Sequence, residues 1–147
     1  MRSYGTSMKT KYKLAHMRAA HLYSDLSTAC RLKVGALVVK DDRIISIGYN
    51  GMPKGWDNNC EIEQADGTLK SKPEVLHAET NAIAKLARSN ESGLDADIFV
   101  THSPCLDCAK LIYQAGIRRV YYSVSYRDDS GINFLKNSGV EVEQLDV

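Results

Sequence analysis

At 147 residues, 44% of them apolar, the chain fits one domain with an ordinary core, and nothing in its composition suggests disorder or a second domain. A formal charge of +1 lacks the basic excess expected of a protein that surveys nucleic acid, no apolar run approaches membrane length, and Met1 to Thr10 is too polar for a secretory leader. The expectation is a cytoplasmic protein that acts on a small molecule and contacts neither nucleic acid nor membrane.

Residues 8 to 28 are mostly helix formers, with Leu14, Met17 and Leu22 at approximate helical spacing. Lys9, Lys11, Lys13 and Arg18 read as the solvated face of that helix. Val34 to Val39 is an unbroken apolar run, Asp41-Asp42 interrupts it, and Ile44 to Ile47 resumes, which predicts an antiparallel hairpin ending in Gly48-Tyr49-Asn50-Gly51. Gly51, Pro53, Gly55 and Asp57 mark a loop, and the polar segment from Cys60 to Lys72 reads as a surface excursion for partner or effector contacts.

Ala82, Ile83, Leu86 and Ala87 form an apolar stripe, predicting a helix from about Ala78 to Ser89 with His77 at its start. That placement matters, because side chains two residues apart inside a helix point about 200° apart. His77 and Glu79 can share one site only at a helix terminus, where the first residue has left the helical path. Asp97 to Val100 is a short strand run, and Pro104 suits the first turn of a helix that carries Leu111, Ile112 and Ala115 before Gly116 closes it. Cys105 and Cys108 then share one face near a helix N-terminus, where backbone amides favour the thiolate. Arg118 to Val124 predicts a strand, Gly131 to Asn137 a helix, and Val140 to Leu145 a last strand. Five strands and about four helices, alternating after the hairpin, predict an α/β fold: a three-layer α/β/α sandwich around a mixed five-stranded sheet.

His77, Cys105 and Cys108 supply one imidazole and two thiolates, enough to hold a zinc ion with one position open, and Glu79 adds a carboxylate that need not be a ligand. Without an export signal, the Cys-x-x-Cys pair and distant His favour reduced thiolates over disulfides. Read without context, the same three ligands also suit a closed structural zinc site with Cys30, Cys60 or His102 as the fourth.

His77-Ala78-Glu79 with Pro104-Cys105-Leu106-Asp107-Cys108 is the signature of zinc nucleobase deaminases. With Val34-Gly35-Ala36, Gly48-Tyr49-Asn50-Gly51, Asn81-Ala82-Ile83, Ala115-Gly116-Ile117 and Ser125-Tyr126-Arg127, the chain resembles the deoxycytidylate (dCMP) deaminase family of the cytidine deaminase superfamily. The resemblance implies hydrolysis of dCMP to dUMP and ammonia, with zinc activating water by lowering its pKa toward about 7 and Glu79 moving protons among water, ring nitrogen and leaving amine. It implies that Asn50 binds the sugar and orients the base, that the backbone around Ala78 and Ser103 reads the pyrimidine edge, and that Arg31, Tyr126 and Arg127 hold the 5′-phosphate. Lys54, Asn58 and Glu61 fall in the loop that resembles the family's triphosphate effector site, which implies activation by dCTP, inhibition by dTTP and Mg2+ accompanying the triphosphate. A homo-oligomer, a hexamer, is implied as well.

One departure is visible. Relatives often carry Ser-Thr-Cys where this chain has Ser27-Thr28-Ala29-Cys30, and some bind a second zinc through such a cysteine and inserted histidines. The stretch from Cys60 to Leu76 contains no His, so one zinc per subunit is expected, with Cys30 as a buried small apolar residue. The competing expectations are a tRNA adenosine or other nucleobase deaminase on the same scaffold, and a catalytically silent nucleotide-binding regulator.

Overall fold

Asp41 and Asp42 both adopt left-handed backbone, with φ of 51° and 60°. That pair of angles is what a two-residue hairpin turn matched to strand twist requires, and Asp tolerates it better than most residues. The turn joins β1 (Gly35–Lys40) to β2 (Arg43–Tyr49), which pair antiparallel with a register shift between Val38 and Val39. The computed structural model describes residues 8–147, so the opening stretch through Ser7 lies outside the described residues.

Before this hairpin stands α1 (Thr10–Ser24). After it come a short hairpin of β3 (Glu61–Glu63) and β4 (Leu69–Ser71), then α2 (Ala78–Ala87), β5 (Asp97–His102), α3 (Leu106–Gln114), β6 (Arg119–Val124), α4 (Ser130–Asn137) and β7 (Glu141–Gln144). The main sheet has the order β2-β1-β5-β6-β7. β5 lies antiparallel to β1, while β5, β6 and β7 run parallel, so the sheet is mixed as expected.

Alternation along the strands divides the core into two layers. Ala36, Val38, Ile98, Val100 and Val120 pack against Ala78, Ala82 and Leu86 of α2, Ala109 and Ile112 of α3 and Leu135 of α4. Leu37, Val39, Phe99 and Tyr121 point the other way, onto Met17 and Ala20 of α1. The central strands read as continuous apolar runs because helices cover both of their faces. Phe99 stacks on Tyr121 at 4.6 Å between ring centroids, and His16 of α1 lies 5.2 Å from Phe99.

Residues 60–72 do lie at the surface, and they are built as the β3–β4 hairpin with Cys60 and Glu61 buried at its base. Two expectations need correction. Cys30 is exposed, because its segment runs over the surface between α1 and β1. Lys13 is buried instead of solvated: its Nζ pairs with Glu143 Oε1 at 2.9 Å and lies 5.4 Å from the Tyr121 ring, tying α1 to the far edge of the sheet.

Candidate functional site

Two helix N-termini meet where β5 ends. His77 is the N-cap of α2, with extended backbone (φ −75°, ψ 155°), so its imidazole leaves the helical path while Glu79 sits in the first turn. Cys105 is the N-cap of α3 (φ −69°, ψ 171°) and Cys108 lies one turn in, so the helix starts just after Pro104. Close backbone packing sets both termini. A Cβ at Gly48 would collide with the carbonyl of Ala78 and stand 2.6 Å from the amide nitrogen of Ala82, and a Cβ at Gly131 would collide with the carbonyl of Pro104. Only glycine lets β2 and α4 approach the two helix openings this closely.

His77 Nδ1 lies 3.2 Å from Cys108 Sγ and 3.7 Å from Cys105 Sγ, and one ligand atom from each of the three residues lies within 4.8 Å of the others. Tetrahedral zinc, with bonds of about 2.0 Å to nitrogen and about 2.3 Å to sulfur, asks for roughly 3.6 Å between such atoms, so the three donors fit the ion. Among the described residues Cys30, Cys60 and His102 do not join the cluster, which leaves a three-ligand set, and all four cysteines are free. The two thiols share one hydrogen bond: it pulls the Cys105 thiol down, helped by His77, and together with burial it pushes the Cys108 thiol up, so Cys105 is the readier thiolate of the pair.

Glu79 is 4% exposed. Burial pushes its carboxyl up to about 7, against opposing hydrogen-bond and His77 contributions. A carboxyl at that value both accepts and donates a proton near neutral pH.

His77, Glu79 and Cys105 lie on the wall of a cleft of about 840 Å³ that also holds Arg31, Asn50, Glu61, His102, Ser103, Tyr126 and Arg127. Asn50 Oδ1 accepts a hydrogen bond from the N–H of Val34 at 2.8 Å, and its Nδ2 donates to the carbonyl of Leu32 at 2.7 Å. One N–H and one lone pair of the amide are left over for another partner. Ser103 Oγ accepts from the N–H of Tyr126 at 2.9 Å, and the Ser103 N–H donates to Val124 at 2.8 Å. Ser103 therefore tethers the Tyr126-Arg127 segment to the end of β5, and its own amide is already engaged. The Tyr126 ring lies 5.7 Å from that of His102, and Ala78 is buried at the cleft wall.

The sequence-predicted residues thus divide. His77, Cys105, Glu79, Asn50, Ala78, Ser103, Arg31, Tyr126, Arg127 and Glu61 face one cleft, with Cys108 buried behind His77; Lys54 and Asn58 are exposed and outside its lining. Sequence reasoning missed Lys72 and Ser71, which β4 and its following turn bring to the rim, and gave His102 no place in the cleft. The signal was the Lys-Ser-Lys triplet before Pro73, legible only once residues 60–72 are paired as a hairpin. The buried Thr101 hydroxyl accepts from the Gly35 N–H at 3.1 Å and lies 2.8 Å from His102 Nδ1, which fixes that ring against the strand end.

Comparison with known proteins agrees with this geometry. The family model for the cytidine and deoxycytidylate deaminase zinc-binding region matches residues 10–124. Deoxycytidylate deaminase of Enterobacteria phage T4 is 34% identical over 165 aligned positions, covering 86% of this chain and 86% of that protein. ComE operon protein 2 of Bacillus subtilis is 39% identical over 132 positions, covering 89% and 69%. The crystal structure of dCMP deaminase from cyanophage S-TIM5 in complex with dCMP and dUMP superposes with a TM-score of 0.88 at 48% identity, over 95% of this chain and 100% of that one. The chain with this His77–Cys105–Cys108 cluster belongs to the deoxycytidylate deaminase family.

Proposed function

We propose that the chain catalyses hydrolytic deamination of dCMP to dUMP and ammonia. The observation that carries the reading is a buried Glu79 beside a three-donor metal cluster, in one cleft with Arg31 and Arg127. The names of the T4 and S-TIM5 relatives support the choice of substrate.

His77, Cys105 and Cys108 would hold zinc, one ion per chain. When bound, that ion supplies Lewis-acid activation of water at neutral pH. Glu79 takes a proton from the attacking water and passes it to N3 as the oxygen adds to C4. The carboxylate then carries the second water proton to the exocyclic amine, which leaves as ammonia while the C4 carbonyl forms, so protons and bonds balance. Asn50 offers its remaining amide valences to the deoxyribose, and the walls at Ala78 and Ser103 confine the pyrimidine. Arg31 and Arg127, helped by Tyr126, receive the 5′-phosphate, for which guanidinium groups give paired charge-assisted hydrogen bonds.

The reading extends to a single-domain, cytoplasmic homohexamer that dCTP activates and dTTP inhibits, with Mg2+ accompanying the triphosphate at the loop of Lys54 and Asn58. Ammonia release from zinc-loaded protein given dCMP, CMP, deoxycytidine or an adenosine tRNA tests the substrate. dCMP is expected to turn over fastest; turnover of another member with none of dCMP refutes the assignment. Repeating the dCMP titration with dCTP or dTTP and Mg2+ tests the regulation, which requires opposite shifts in half-saturation.

A further inference from the structure

Residues 27–34, between α1 and β1, form neither helix nor strand, yet they carry Arg31 to the cleft. Side chains from elsewhere satisfy this backbone. Asn50 holds Leu32 and Val34, as described, and Glu61 Oε2 accepts from the N–H groups of both Cys30 (2.9 Å) and Arg31 (3.1 Å). Glu61 is 6% exposed and starts β3. Its partner across the hairpin is Ser71, whose Oγ accepts a hydrogen bond from Arg31 Nη1 at 3.3 Å. One rung of the hairpin therefore meets Arg31 twice, at its backbone and at its guanidinium.

Burying a carboxylate in a cleft meant for an anion is unfavourable on both desolvation and charge grounds. Two backbone N–H donors offset that cost, and such charge-assisted bonds are the strong ones. The arrangement makes sense when the carboxylate serves the segment it grips. We propose that Glu61 is a positioning residue: it fixes the Cys30-Arg31 turn so that the Arg31 guanidinium stands in the cleft, and it thereby sets affinity for the nucleotide 5′-phosphate. This rests on the reading above that Arg31 receives phosphate, and it gives Glu61 a substrate-side role in place of the effector contact expected from sequence.

The test is steady-state kinetics on zinc-loaded Glu61→Ala, Glu61→Gln, Arg31→Ala and the Glu61→Ala/Arg31→Ala double variant, with dCMP and deoxycytidine as substrates. Amide hydrogen exchange at Cys30 and Arg31 is followed in parallel. Glu61→Ala raises KM for dCMP about tenfold with kcat changed less than about threefold, narrows the preference for dCMP over deoxycytidine, and speeds exchange at both amides. Glu61→Gln, which keeps an acceptor oxygen and guards against misfolding of the alanine variant, gives a smaller rise in the same direction. The double variant has no higher KM than Arg31→Ala alone, because the two residues act as one unit. A raised KM in Arg31→Ala with a flat KM in both Glu61 variants, or KM effects that multiply in the double variant, overturns the proposal alone. A flat KM in Arg31→Ala removes the phosphate reading and the proposal together.

Discussion

His77 and Glu79 stand two positions apart yet line one cleft, because His77 caps α2 in extended backbone and Glu79 begins the helical turn. That division was legible in the sequence: helical geometry forbids the pairing anywhere but a terminus. Glu79→Gln keeps the shape of the side chain and removes the proton traffic proposed for it. It is expected to lower kcat by at least about a hundredfold, while zinc content, read by elemental analysis, stays at the wild-type level. Normal turnover would dismiss the carboxylate as the proton carrier. Arg127→Ala is expected to raise KM for dCMP more than for deoxycytidine, and equal changes would remove Arg127 from the phosphate site. Sequence could not show what the polar groups around these residues do, since hydrogen-bond partners come from distant segments. Asn50 grips Leu32 and Val34, and Ser103 Oγ grips Tyr126, through bonds that no local pattern announces.

At the scale of elements, the parts with strong periodicity or turn chemistry appear where the sequence puts them. The β1–β2 hairpin follows from two apolar runs around Asp41-Asp42, and α2, α3 and α4 begin within a residue or two of their expected starts. The β3–β4 hairpin escaped because its strands are three residues each and mostly polar, with Ile62 and Leu69 exposed; its reason to exist is tertiary, the burial of Cys60 and Glu61 against the segment before β1. Cys30 was misjudged for the same reason, since small apolar character says nothing about where a connecting segment runs. The fit of β2 against α2 gives a prediction at this scale. Gly48→Ala places a methyl group against the backbone of Ala78 and Ala82, which cannot yield as a flexible side chain would. The substitution should cost about 1–3 kcal/mol or more in chemical denaturation and lower kcat by shifting the opening of α2; an unchanged denaturation midpoint would contradict the packing.

Across the whole molecule, one mixed sheet separates α1 from the other three helices, and the chemistry gathers where α2 and α3 open beside the end of β5. The layer holding α1 carries a pH signature of its own. His16 packs on Phe99, and burial lowers its pKa while Asp42 opposes the shift. The unfolded chain then binds a proton on this imidazole more readily than the folded one. The contribution is present in full above the ordinary histidine value of about 6.5 and is lost as pH falls from there through the folded value. Relative to a His16→Gln variant, the wild type should therefore lose thermal stability between about pH 7.5 and pH 5, as paired melting curves would show. Curves that keep a constant separation would place His16 in an effectively aqueous setting.

The cleft has two builders: helix openings anchored to the main sheet supply its reactive floor, while a separate two-stranded flap supplies much of its rim. On the proposal above, the flap acts on the nucleotide through the grip of Glu61 on Arg31, so drift in residues 60–73 would shift phosphate affinity while His77, Glu79, Cys105 and Cys108 keep their places. Grafting that flap between relatives should change half-saturation by dCMP, with intrinsic turnover following the recipient scaffold.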